Sequence, residues 1–170
     1  DLTEAAECCA CLAPACWWLG DVARSEAVTQ QRLAFALTSH DRFQLRHVYP
    51  WLAACAGIRG RVAEATAEFA RAEEIIVGLE SPEPRAYLSF ARGVLALETA
   101  DLPRARAYLH EALAIFRALG SAAAGWYEGF AGLLDYASGD LPAAHNALAN
   151  LIALVQSLPP GAMAAGEPLV

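Results

Sequence analysis

A small residue recurs at a nearly fixed interval along this chain, at Gly20, Gly60, Ala100 and Gly139, so the spacing is 40, 40 and 39 residues. Other columns keep the same beat. Two residues on stand Val22, Val62, Leu102 and Leu141, all apolar, and three further on Ser25, Ala65, Ala105 and Ala144, all small. Ten beyond those come Phe35, Ile75, Ile115 and Leu154, all large, and seven before each turn Ala13, Ala53, Gly93 and Gly132. Agreement of this kind at a period near 40 is the mark of a helical repeat, in which each unit buries its apolar face only by stacking on the next.

The clearest copy runs from Arg85 to Gly120. It reads as two amphipathic helices joined by the turn Thr99-Ala100-Asp101. The small columns let two backbones approach while flanking large residues interdigitate, with Gly93 expected against Ala105. Glycine at the turn tolerates the left-handed conformation that ends a helix. Asp101 and Asp140 stand where an N-cap acceptor is needed, and Pro103 and Pro142 fall in the first turn, where a missing N–H costs nothing.

The patterns Gly93…Asp101-Leu102-Pro103-Arg104-Ala105…Ala112 and Gly132…Gly139-Asp140-Leu141-Pro142-Ala143-Ala144 resemble the tetratricopeptide repeat. The resemblance covers about residues 7 to 157 and is best in the last two copies. The period exceeds the roughly 34 residues of that family. Arg92 takes a site that is large and apolar there, and Arg32 and Leu151 replace a small residue late in the second helix. In its long, degenerate copies the chain is similar to the C-terminal repeats of large bacterial ATP-dependent signalling and transcription regulators.

The expected fold is therefore all-α: about four antiparallel helix pairs, which the resemblance would wind into a right-handed superhelix. The repeats fall at about 1–40, 41–80, 81–120 and 121–158, with 159–170 as a loop or tail leading to further sequence. Met163 is the only methionine, so Asp1 is expected to be a cut site and the chain a segment of a longer protein. Hydrophobic residues make up 56%, but no apolar run reaches the roughly 20 residues of a membrane span, and a cytoplasmic location is expected. Net charge is −7, and all 12 basic residues are scattered arginines, which argues against a phosphate-tracking surface and hence against direct nucleic-acid binding.

Helices are expected over 2–19, interrupted near Pro14, then 21–38, 43–57 with its start reset at Pro50, 61–78, 122–138 and 141–158, with the central pair between. Cys8, Cys9, Cys11 and Cys16 lack the paired spacing of a structural zinc site and stand where other copies use alanine. Packing is the preferred reading, with metal or redox roles the alternative. His40 and His47 have no recurring third ligand beside them. There is no Gly-rich phosphate loop, H-E-x-x-H or G-x-S-x-G, so no enzyme activity, cofactor or metal site is expected.

By resemblance, the first helix of each pair would line a concave face. That places His47 and Ile58, then Tyr87, Phe90, Val94, Leu97 and Glu98, then Trp126, Leu133 and Tyr136 on a protein-binding groove, with Trp17 and Trp18 level with them. Core packing is the competing reading of these aromatics. The Lys, Arg and Asn arrangement by which some relatives grip a C-terminal carboxylate has no counterpart. The expected function is a scaffold for a peptide, a helix or another domain of its parent. The alternatives are a sensor for a small inducer and a module that self-associates through uncapped ends.

Overall fold

The computed structural model describes residues 2–77, 79–121 and 124–157, together with their side chains except those of 18, 125, 126 and 155. Eight helices run through them: α1 Leu2–Trp18, α2 Val22–Thr38, α3 Arg42–Ile58, α4 Val62–Ile76, α5 Glu83–Glu98, α6 Leu102–Ala118, α7 Ala124–Ala137 and α8 Leu141–Ser157. The proposed tail 159–170 lies outside the described residues. The chain is all-α and its helices pack as sequential pairs. It divides into two compact units, Asp1–Ala91 and Arg92–Val170, with the boundary inside α5. None of the helices is long and apolar enough to cross a membrane, among the described residues.

The turn column behaves as one. Gly20, Gly60 and Gly139 have φ of 79°, 76° and 83°, and Ala100 takes the same left-handed conformation at 59° without being glycine. The following N–H reaches back five residues each time, Asp21 to the Cys16 carbonyl and Asp101 to that of Ala96, closing the helix end. His40 (φ 54°) and Gly120 (φ 63°) repeat this between pairs. The next helix is then started by an aspartate. Asp21, Asp41, Asp101 and Asp140 accept from the N–H of Arg24, Gln44, Arg104 and Ala143 at 2.9–3.3 Å. Arg61 stands at this place before α4 and makes no such cap.

In the first unit α1 packs on α2, α2 on α3 and α3 on α4. Cys9, Ala13 and Val28 form a core cluster flanked by Phe35 and Trp51, and the rings of Trp17 and Trp51 lie 4.9 Å apart. Ser25, the small-column residue of this copy, is buried. It donates to the Ala13 carbonyl at 2.7 Å and accepts from the Trp51 indole N–H at 3.1 Å. Glu26 is buried too and holds both Arg59, at 2.7 Å, and Arg61. The buried Cys55 thiol, 4.0 Å from the Ser25 hydroxyl, is pushed up to about 12 by desolvation, which makes it an inert packing group.

In the second unit α6 packs on α7 and α7 on α8. Contact is made through glycine. A Cβ on Gly93 would fall 2.7 Å from Leu109, one on Gly129 2.6 Å from Leu151, and one on Gly132 2.8 Å from the Cβ of Ala147. Phe116, fully buried, stacks on Tyr127 at 4.2 Å with 5° between the ring planes.

Several expectations change. The nearest neighbour of Gly93 is Leu109, one turn beyond Ala105 on the same face. Pro14 and Pro50 sit inside continuous helices, because the buried residues beside them, Ala13, Cys16 and Trp17 in α1 and Leu52–Ala56 in α3, outweigh one absent hydrogen bond each. The column after the turn is not a core column throughout, since Val62 and Leu141 are exposed. α5 begins at Glu83, two residues before Arg85, with Pro84 in its first turn, where proline is tolerated.

Candidate functional site

Asp41 starts α3, and the first two turns of that helix carry Phe43, Gln44, Arg46 and His47. Three- and four-residue spacing puts Phe43, Arg46 and His47 side by side. The Arg46 guanidinium carbon lies 3.7 Å above the centre of the Phe43 ring, and the His47 and Phe43 ring centres are 5.4 Å apart. On α5, Glu83 receives an ion pair from Arg46 at 3.0 Å, and the Tyr87 ring meets His47 edge-on at 4.0 Å. Phe43 is 57% exposed and Tyr87 half-buried, so the cluster opens to the surface of the first unit.

Arg32 joins from α2, donating from Nε to Gln44 Oε1 at 2.7 Å. His47 Nε2 accepts from Arg46 Nε at 3.2 Å, which assigns the ring proton to Nδ1. Desolvation first, then the charges of Arg32 and Arg46, hold the imidazole well below its ordinary pKa. The ring is neutral at pH 7. Desolvation also lowers Arg32, which stays charged.

The second unit carries a different concavity, a groove of about 550 Å³ between α6, α7 and α8. Its floor includes Leu113 and Ala131, and its rim His110, Arg117, Glu128, Asp135 and Asn150. The rim charges are already matched. Arg117 pairs with Glu128 at 2.7 Å, and Arg106 reaches Asp135 at 3.5 Å and the Ser138 hydroxyl at 3.1 Å.

Of the residues placed on the groove by resemblance, His47 and Tyr87 come together. Phe90 and Val94 are buried, at 8% and 1% exposure, and Trp17 lies in the core against Trp51. Glu98 is exposed, as are Leu133 and, at 65%, Tyr136, the last two on α7. Ile58 and Leu97 are half-buried. The side chains of Trp18 and Trp126 lie outside the described residues. Phe43, Arg46, Glu83 and Arg32 were not among those candidates. The run Phe43-x-x-Arg46-His47 could have flagged the first two by spacing alone, whereas Glu83 enters only through the packing of α5 near α3.

Among the described residues no three of His, Cys, Asp or Glu gather as metal ligands, and the exposed thiols are Cys8 and Cys11. Compared with known proteins, the chain matches no family model, and no curated protein is significantly similar to it in sequence.

Proposed function

We propose that this chain is a protein-interaction scaffold of tetratricopeptide-like, right-handed superhelical design, a segment of a larger bacterial regulatory protein. Its partner is a peptide, a helix or another domain of its parent. The observation that carries the reading is the cluster Phe43–Arg46–His47–Tyr87, contributed by the first helices of two successive pairs and open at Phe43. Aromatic rings and arginine held rigid by their neighbours are the side chains on which protein interfaces concentrate binding energy. Displayed peptides selected on the whole chain should lose about tenfold in affinity on Phe43→Ala, with helicity by circular dichroism unchanged. Equal enrichment on both proteins removes this face from the interface.

A second reading, a sensor for a small molecule, is favoured by the groove of α6, α7 and α8, whose apolar floor and polar rim suit a compact ligand. A metabolite that raises the melting temperature of the protein but not that of its Leu113→Trp variant supports it. Absence of any such metabolite leaves the scaffold reading standing.

A further inference from the structure

The groove of α6, α7 and α8 has two chemically different ends. Helices α6 and α7 run antiparallel beside it, since Arg117 reaches Glu128 while Arg106 reaches Asp135 and Ser138. One end therefore holds Arg117 and Glu128, joined by Asn150 of α8, whose neighbour Leu151 packs on Gly129. The other holds Asp135 and, one turn along α6 from Arg106, His110. Glu128 and Asp135 stand two turns apart on α7, about 10 Å along its axis. Between them the wall is small and apolar. Ala114, Ala131 and Ala147, one alanine from each helix, leave a space of about 550 Å³, within the range of small-molecule sites.

The charges at the two ends are matched unequally. Arg117 gives one oxygen of Glu128 two N–H bonds, at 2.7 and 3.2 Å. Among the described residues Asp135 meets one cation, Arg106, at 3.5 Å, the outer limit of a hydrogen bond, and that arginine also donates to the Ser138 hydroxyl at 3.1 Å. Arg106 does not line the groove, so of the described lining residues one arginine faces two carboxylates. The Asp135 side chain is only 20% exposed, which leaves its charge less screened than that of a surface carboxylate.

We propose that this groove binds a small primary amine. The ammonium donates to Asp135, an apolar body no longer than about 10 Å lies along the three alanines, and a neutral polar group at its far end meets Glu128, Arg117 and Asn150. A carboxylate next to the ammonium would face Asp135, which disfavours amino acids and simple acids. Such a ligand rests on the sensor reading of the groove, whose metabolite it names by class; the scaffold reading does not depend on it.

The test titrates the whole protein, labelled at histidine, with tyramine, following the histidine rings by NMR. Saturable shifts of His110 are expected, with His47 in the first unit unmoved. Affinity should fall about tenfold in Asp135→Asn. It should rise about threefold in Arg106→Gln, which frees the carboxylate from its competitor, an opposite change that loss of fold would not give. Circular dichroism and melting of both variants check that they fold. 3-(4-Hydroxyphenyl)propionate, which has a similar body with a carboxylate in place of the amine, should not bind.

Absence of saturation with tyramine, equal affinity in wild type and Asp135→Asn, or weaker binding in Arg106→Gln overturns the amine site. Propionate binding that Leu113→Trp abolishes overturns the amine class and leaves the sensor reading standing. Should no metabolite bind the groove at all, both fall together. Tighter binding of Nα-acetyl-lysine amide than of tyramine overturns the free amine and reassigns Asp135 to a lysine side chain of a bound protein.

Discussion

The two units solve one packing problem with different chemistry. Late in the second helix of each pair, the repeat places Arg32, Ala72, Ala112 and Leu151 in one column. Ala72 and Ala112 are fully buried small residues. In the second unit the departure to leucine is absorbed across the interface, since Gly129 leaves room for the Leu151 side chain. In the first unit the departure to arginine is met with polarity, by Gln44 and the His47 cluster. The contrast is general: among the described residues the buried polar residues Ser25, Glu26, Thr29, Gln44, Arg46 and Ser89 all belong to the first unit, while glycine-mediated contacts characterise the second. Volume exchange makes a dry, rigid contact. Polar exchange leaves donors and charges that other molecules can meet.

The largest effect should come from violating the dry contact. Ala105→Glu buries a carboxylate at a fully covered position of α6 and should cost at least about 4 kcal/mol, unfolding the second unit first. Unchanged helicity at 37 °C would break the distinction. Next, Glu26→Gln removes the charge that Arg59 and Arg61 share. Both arginines are part-exposed, so the cost in chemical denaturation should be only about 1–2 kcal/mol. A loss as large as that of Ala105→Glu would mean that the first unit depends on its ion pairs for stability as much as the second depends on its close contacts.

The pH dependence should also divide the units. Because His47 is depressed when folded, the unfolded state binds its proton first. Stability is complete above the ordinary histidine range near 6.5 and falls as pH drops below it towards the folded value, by at most about 1.4 kcal/mol per unit. His47→Gln should flatten that slope in melts between pH 7 and 5; a slope unchanged in the variant would show that the ring titrates normally. The smallest expected effect is shared. Ala100→Gly and His40→Gly, one in each unit, relieve left-handed strain and should each add up to about 1 kcal/mol. A gain at only one of them would show that its neighbour compensates the strain.

Much of the fold is legible in the residues because its signals are local. A turn, a cap and a small column are fixed by sequence spacing within one pair, so the left-handed turns and the capping roles of Asp101 and Asp140 follow from the period. The continuity of α1 and α3 through proline was not legible, since it depends on how well the flanking turns are buried. Nor was the site. His47 and Tyr87 stood among the candidates, but Phe90 and Val94, drawn from the same helical positions, are buried.

The sequence by itself determined the eight helices of the described residues and their sequential pairing, because backbone hydrogen bonding and helical periodicity act over a few residues. Only tertiary structure decided which polar side chains find partners. Glu26 meets Arg59 and Arg61, Arg46 meets Glu83, and Arg32 meets Gln44 through its Nε. Those outcomes depend on side chains from separate helices reaching the same few ångströms, a distance that no spacing along the chain encodes.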